Sequence, residues 1–434
     1  MKTPKHFQEE SIELILNNEG LVIGDECGLG KTLTAVEAGK RLAQNPSWRS
    51  LVVCPKKLAD QWANVIADQM PGVPVLVVNK IPYILDDISG WVIITYPEID
   101  YKPVYDTVSR VLWDYIVIDE AHRIKNRKTK AFDKLRQLYA VKVVCLTGTP
   151  MEKSPGDLWT LLNITHPDAF PSYWTYAEEW LEEIPDYYEY KKFGQPKDPA
   201  AFGNMLTKYF IRHTKADVMP ELPEKIIIPT FVAPEPKQGN LLREMKKSQD
   251  ILFEYEGTEL LIPNALSMLT RMQQASTDPA LIGMKMPSGK LAWLFEFVKD
   301  HPEEPTIVFS RFRDIMLELA YSMNGAYVVG GSDDNYLRFV NGEVNLVFCT
   351  IDSIEGVDGL QRAKYAIFLD SHWSTIKMTQ AIDRIHRMDI TEPKVIYQLY
   401  SCREDQLVLD ALEKKWIDSE LVYYFMYPDK DLGT

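Results

Sequence analysis

The sequence predicts an α/β fold in two lobes, each a mostly parallel sheet covered by helices on both faces. Three observations carry that expectation. Short runs rich in valine, isoleucine and leucine recur with room for a helix between them, they fall into two separate series, and the first run leads into a glycine-rich stretch, DECGLGKT at 25–32. Continuous apolar runs mark strands buried on both faces, which a parallel sheet with crossover helices provides.

The first series is LVIG (21–24), LVVC (51–54), VPVLVV (73–78), WVIIT (91–95), YIVIDE (115–120) and VVCLTGT (143–149), with helix-length segments such as Thr32–Gln44 and Lys57–Met70 between. The second is TIVFS (306–310), AYVVG (326–330), NLVFCT (345–350), YAIFLD (365–370) and VIYQLYS (395–401). The proline-bearing stretch LPEKIIIPTFVAPEP (222–236) reads as an interlobe passage, and Gly239–Leu281 as helical packing that introduces the second lobe. The segment 170–193 is dense in aromatics and acids. Acidic neighbours repel phosphates, so a helical subdomain core is expected there ahead of a base-stacking surface. The expected division is a first lobe over 1–225 with a helical insertion at about 165–210, a passage and helical entry over 226–285, and a second lobe over 286–434.

A chain of 434 residues with 46% hydrophobic content is long enough for two or three compact units with large cores. Its 62 acidic and 48 basic residues leave a net charge of −14, which argues against coating nucleic acid by bulk electrostatics. Any such contact must be local, since screening limits repulsion to about 10 Å. Cysteines at 27, 54, 145, 349 and 402 are dispersed and never spaced as CxxC, so core packing is expected in place of disulfides or zinc. No apolar run approaches the roughly 18 residues of a membrane span, and the start MKTPKHFQEESIELIL lacks the apolar core of a secretion signal. A soluble, cytoplasmic protein is expected.

Phosphate cradling needs converging backbone N–H groups with a helix N-terminus behind them, and glycines let the oxygens approach. Gly28-Leu29-Gly30-Lys31-Thr32 after the LVIG strand supplies that pattern, although Asp25 replaces the usual first glycine of GxxxxGKT. Lys31 suits the β/γ-phosphates and the Thr32 hydroxyl suits Mg2+. At the end of YIVIDE, where open α/β sheets place ligand-binding residues, Asp119 suits a water-mediated hold on Mg2+ and Glu120 suits activation of an attacking water. In QAIDRIHR, Gln380, Arg384 and Arg387 fall at i, i+4 and i+7, so a helix would present all three on one face, where arginine forks stabilise a transferring phosphoryl group; a solvated face is the alternative. The basic run 123–130 reads equally as a backbone contact, a nuclear address or a solvated helix start.

Taken in order, these stretches resemble the Swi/Snf-type branch of superfamily-two helicases, the ATPase motors of chromatin remodellers and their bacterial and viral relatives. GDECGLGKT, LVVCPKKLADQW, ITYPEI, DEAHRIKN, LTGTP, FIRHTKADVMPELPEK, LTRMQQASTDPALI, SGKLAWLFEFVKD, TIVFSRFRDIMLEL and QAIDRIHRM are each similar to a segment of that family, so the likeness spans nearly the whole chain. It implies two RecA-like lobes with a helical insertion between the core motifs. The implied cofactors are ATP and Mg2+. Gln8 is then the glutamine that reads adenine, and Glu355 and Gly356 join the phosphate loop, Asp119, Arg384 and Arg387 around the nucleotide. His122, Thr147, Gly148, Thr149, Ser310, Arg311, Thr350, Trp373 and Gln380 fall to coupling or nucleic-acid contact.

Two departures stand out. Where the family's motif V reads Ala-Gly-Gly-Glu-Gly-Leu-Asn-Leu, this chain has Asp352-Ser353-Ile354-Glu355-Gly356-Val357-Asp358-Gly359, and Met388-Asp389-Ile390 replace the Gly-Gln after Arg-Ile. No chromatin-reading, RING or nuclease segment is recognised, so a bare motor of bacterial or phage type is expected. The resemblance implies a DNA-stimulated ATPase that steps along duplex DNA through backbone contacts with little sequence specificity. A strand-separating DNA or RNA helicase, with single-stranded DNA or RNA as further partners, and a non-catalytic ATP-switched nucleic-acid-binding module are the alternatives.

Overall fold

The computed structural model describes residues 2–78, 89–151, 154–185, 191–248, 252–330, 334–354, 357–388 and 390–427. It divides into two compact units, 1–220 with 415–434 and 221–414.

The strands in chain order are β1 (Gly20–Ile23), β2 (Arg49–Cys54), β3 (Val75–Val77), β4 (Gly90–Thr95), β5 (Trp113–Ile118), β6 (Ala140–Leu146), β7 (Leu181–Ile184), β8 (Lys192–Pro196), β9 (Phe210–Ile211), β10 (Lys225–Phe231), β11 (Leu252–Tyr255), β12 (Thr258–Leu261), β13 (Thr306–Ser310), β14 (Ala326–Val328), β15 (Leu346–Thr350), β16 (Tyr365–Phe368) and β17 (Lys394–Tyr400). The first unit's main sheet has the order β3-β4-β2-β5-β6-β1-β9, and the second unit's has β10-β17-β16-β13-β15-β14. Every described pairing in both sheets is parallel.

Each sheet is buried on both faces, as its continuous apolar strands require. In the first unit Leu51, Val53, Ile116 and Ile118 join one core, while Val52, Cys54 and Val117 join another. The second unit repeats the arrangement, with Ile307, Phe309, Val347 and Cys349 on one side and Val308, Phe348 and Ile367 on the other. Alternate residues of one strand serving two cores is the period-2 geometry of a sheet sandwiched between helical layers. The two RecA-like lobes expected from the sequence are present.

Three expectations about the intervening segments change. The proline-bearing passage forms β10, which pairs with β17 along its whole length and so belongs to the second sheet. Pro229 is tolerated because β10 is an edge strand, where a missing N–H need break no ladder bond. The insertion expected to be helical contains helices Tyr173–Trp180 and Pro199–Leu206 but also the antiparallel hairpin β7-β8. Phe170, Tyr176 and Phe193 are buried, but they join the core on one face of the first sheet and form no separate subdomain core, and the Arg127 guanidinium lies 3.6 Å from the Tyr173 ring centre. Likewise, helices Pro236–Lys247 and Ala265–Thr277 enclose the hairpin β11-β12 around a small separate core of which Leu241, Met245 and Phe253 are part.

The expected second lobe, 286–434, ends earlier as a compact unit, at Lys414. Phe425 and Met426, at the end of helix Arg403–Met426, lie in the first unit's core, where Phe425 meets Phe202 edge-on at 5.6 Å. Gly203 makes that approach feasible, since a Cβ there would fall 1.3 Å from the Phe425 carbonyl oxygen. Among the described residues no helix is long and apolar enough to cross a membrane.

Candidate active site

Four neighbouring strands, β5-β6-β1-β9, run in one direction and deliver four loops to one edge of the first sheet. The loop after β1 is the glycine-rich stretch, that after β5 holds Asp119 and Glu120, that after β6 holds Thr147–Thr149, and that after β9 holds Arg212–Lys215. Neighbouring strands lie about 4.8 Å apart, so loops two strands distant can serve one small ligand.

The glycine-rich loop folds as its sequence demands. Gly28 and Gly30 sit at φ 88° and 79°, the left-handed region that glycine enters without steric cost. Helix Lys31–Leu42 begins immediately afterwards. Lys31 Nζ donates to the carbonyls of Asp25 (2.7 Å) and Glu26 (3.4 Å), which holds the ammonium over the loop. Thr32 opens the same helix, half-buried.

Asp119 is almost fully buried and both of its oxygens accept hydrogen bonds, Oδ2 from Trp62 Nε1 at 2.8 Å and Oδ1 from Glu120 N at 2.9 Å. Burial and the adjoining Glu120 charge push its carboxyl up to about 6, against the Trp62 bond and the Lys31 charge. Burial acts the same way on Glu120, but His122, Lys31 and Arg123 outweigh it and draw that carboxyl down to about 2. His122 Nδ1 stands 3.2 Å from Glu120 Oε2. Two adjacent acids are thus driven apart, one short of positive charge and one firmly ionised, the arrangement by which neighbouring carboxylates take different roles. Because Lys31 acts on both acids, the three groups share one electrostatic site.

Glu120 also carries backbone strain. Its φ of 49° is left-handed, which costs a non-glycine residue about 1–2 kcal/mol. Tyr96, at the head of the short helix after β4, donates its hydroxyl to the Asp119 carbonyl at 2.7 Å and reaches the Glu120 carbonyl at 3.3 Å.

The structure adds bracing residues to which the sequence reading gave no role. Arg212 Nη1 donates to the carbonyls of Gly24 (2.8 Å) and Gly148 (3.3 Å). His213 donates its backbone N–H to Asp25 Oδ1 at 2.9 Å and sets Nδ1 2.8 Å from the same oxygen. Lys215 N donates to Glu26 Oε2 at 2.7 Å. Asp25, fully buried, therefore replaces the usual glycine as an anchor for the strand on the far side of the loop. The signals lay in FIRHTK and ITYPEI, whose polar side chains sit at strand ends.

Gln8, expected to read adenine, has both ends of its amide engaged: Oε1 accepts from Lys5 N at 2.8 Å and Nε2 donates to the Leu29 carbonyl at 3.0 Å. Thr147 is fully buried and its hydroxyl accepts from Thr149 N at 3.2 Å. Gly148 is packed on Cys27, where a Cβ would come within 2.3 Å of Sγ.

In the second unit, Ser310 is fully buried and donates to Asp370, while Arg311 N donates to Asp370 Oδ1 (2.9 Å) and Arg311 Nη1 to Gln273 Oε1 (2.7 Å). Thr350 Oγ1 donates to Ser353 Oγ at 2.6 Å, and Trp373 packs against the core beneath. Glu355, Gly356 and Asp389 lie outside the described residues. The single helical face expected for Gln380, Arg384 and Arg387 is not formed. The helix ends at Ile385, where the non-helical backbone of His386 breaks the 3.6-residue repeat, and Arg387 follows beyond it. Arg384 and Arg387 converge all the same, because both donate to Asp358 Oδ1, at 3.5 and 2.6 Å.

A family model described as the SNF2-related domain matches residues 8–281. Among curated relatives, the ISWI chromatin-remodeling complex ATPase ISW2 of Saccharomyces cerevisiae is 25% identical over 95% of this chain and 40% of its own length. The ATP-dependent DNA helicase DDM1 of Arabidopsis thaliana is 24% identical over 91% of this chain and 58% of its own. The chain thus spans about two fifths to three fifths of these relatives. Among solved structures, the Sulfolobus solfataricus SWI2/SNF2 ATPase core in complex with dsDNA matches at 23% identity and TM-score 0.48, covering 98% of this chain and 95% of that one.

Proposed function

Because this chain belongs to the family of SNF2-related domains, we propose that it is a DNA-stimulated ATPase that steps along duplex DNA and remodels DNA or protein–DNA complexes. The observation that carries this reading is the convergence of Lys31, Asp119 and Glu120 at the edge formed by β5, β6 and β1, with Lys31 acting on both carboxylates. Lys31 exchanges its two loop carbonyls for the β/γ-phosphate oxygens, and the loop amides take the remaining phosphate charge. Glu120, ionised at neutral pH, orients the attacking water and accepts its proton.

Thr32 and Asp119 are the groups that would hold Mg2+. They fit it as oxygen donors, and a buried carboxyl pushed up to about 6 is one that a cation relieves. The ion, when bound, screens charge on the phosphate oxygens. Arg384 and Arg387 carry the planar guanidinium forks suited to stabilising the spreading charge of a transferring phosphoryl group. Duplex DNA fits the parentage of the fold, and its binding would be phosphate-directed and salt-sensitive.

The test is phosphate release by the full chain with and without duplex DNA at low salt, with single-stranded DNA and RNA in parallel. Duplex DNA accelerates turnover, and Lys31→Ala and Glu120→Gln abolish it. Turnover indifferent to every nucleic acid, or surviving in Glu120→Gln, overturns the reading; tight ATP binding without release supports a switched binding module instead.

A further inference from the structure

We propose that Asp358 is a positioning residue that holds Arg384 and Arg387 away from phosphate until nucleotide displaces it, and so sets the chain's resting rate of ATP turnover. This inference rests on the reading that the two arginines act on the transferring phosphoryl group.

One carboxylate oxygen gathers both guanidinium groups: Asp358 Oδ1 accepts from Arg387 Nη2 at 2.6 Å and from Arg384 Nη1 at 3.5 Å. Arg384 Nη1 also reaches the neighbouring Val357 carbonyl at 3.4 Å. The backbone beside the carboxylate is closely packed, since Gly359 lies at φ 88° and a Cβ there would meet Val340 at 2.8 Å. The arginine end is anchored as well, by His386 Nε2 set 2.8 Å from the Pro223 carbonyl. The ion cluster is therefore a fixed meeting of a loop with the end of helix Thr375–Ile385 and the residues just beyond it, all in the second unit.

The charge of Asp358 is what distinguishes it, since asparagine is a neutral side chain of the same shape. Asparagine offers the arginines an acceptor without charge, whereas aspartate cancels one of their two positive charges and competes for the N–H groups a phosphate would use. The Asp358 side chain is 55% exposed and those of the arginines 18% and 23%. The carboxylate can therefore turn into water once a phosphate takes its place, so it restrains the arginines without sequestering them. Half-exposed ion pairs are weak and screened by salt, so the expected effect is several-fold and salt-dependent.

The experiment compares the full chain with Asp358→Asn, Asp358→Ser, Arg387→Ala and Asp358→Asn/Arg387→Ala, measuring ATP turnover without DNA and with saturating duplex across a salt series. Asp358→Asn raises kcat/KM for ATP without DNA by about two- to fivefold. The gain shrinks as salt rises and vanishes in the Arg387→Ala background, a coupling that separates a charge effect from a change of fold. Asp358→Ser, which removes the carboxylate with a different side chain, gives the same sign. Turnover in Asp358→Asn equal to or below that of the parent chain, or a gain independent of salt and of Arg387, overturns the proposal. Equal turnover in Arg387→Ala and the parent chain instead overturns the assignment of that arginine, which is a distinguishable failure.

Discussion

Tyr96→Phe deletes one oxygen atom from the wall of the site and should slow chemistry without weakening nucleotide binding. The hydroxyl is donated at 2.7 Å to the carbonyl of Asp119 and lies 3.3 Å from that of Glu120. Burial and the charge of Asp119 hold the phenol well above its ordinary value, so it remains a donor at every working pH. Its removal leaves buried carbonyls short of a donor, a loss of about 1–3 kcal/mol. On the other side stands the left-handed backbone of Glu120, worth about 1–2 kcal/mol if relaxed. These quantities are comparable, so the held conformation loses its margin. A shift of about 1.4 kcal/mol moves the ratio of held to relaxed Glu120 tenfold, and kcat should fall by about that factor. Lys31 and Thr32 do not depend on Tyr96, so KM for ATP should stay within about twofold. Steady-state kinetics at saturating DNA measures both constants, and thermal unfolding reports the accompanying loss of stability. A variant with lowered melting temperature and unchanged kcat would refute the argument, because the hydroxyl would then support the fold but not the base.

Three further outcomes follow from the same geometry. Trp62→Phe removes the donor to Asp119 Oδ2 and should raise the Mg2+ concentration for half-maximal turnover by about tenfold, the usual effect of losing an outer partner of a ligand; an unchanged Mg2+ requirement counts against Asp119 as the ion's holder. For His213, burial favours the neutral ring, but Asp25 and Glu10 outweigh it and raise the folded value above 6.5. The stability that the ion pair supplies is therefore complete below about pH 6.5 and lost as pH rises through the higher folded value. Against His213→Gln, the parent chain's advantage in urea unfolding should shrink as pH rises above about 6.5, while His213→Arg keeps it; parallel pH profiles for parent and His213→Gln would be the contrary result. Gly203→Ala places a methyl group 1.3 Å from the Phe425 carbonyl and should destabilise the first unit by about 3 kcal/mol or more, read as a shift in its unfolding midpoint, since backbone atoms cannot yield as a side chain does.

The main sheets were legible because a parallel strand buried on both faces must be apolar along its middle, and the runs at 51–54, 115–118 and 307–309 are so. The candidate site was visible as a pattern of residue types, a glycine-rich loop leading into the helix that Lys31 opens and an acid, Asp119, directly after a buried strand. What escaped was decided by tertiary contact. KIIIPTF looks like a passage by its proline, and only its place at the sheet edge makes Pro229 acceptable in a strand. The i+7 spacing of Arg387 assumed a helix that stops at Ile385, and convergence with Arg384 is achieved through a shared carboxylate, which periodicity does not encode. The bracing by Arg212, His213 and Lys215 depends on β9 lying beside β1, nearly 190 residues away in sequence by the Asp25–His213 pair.

That adjacency explains why the loop after β1 can be both glycine-rich and ordered. A stretch with two left-handed glycines has little intrinsic rigidity, so its shape must be imposed from outside. On one side β9 supplies the constraint, with Glu26 N donating to the His213 carbonyl at 3.0 Å and Asp25 held by the same residue. On the other side β6 does so, with Thr147 N donating to the Ile23 carbonyl at 3.0 Å and Gly148 packed against Cys27. Arg212 spans the two by bonding Gly24 and Gly148 together. A displacement of the Thr147–Thr149 loop therefore cannot leave Cys27 and the adjoining glycines where they are.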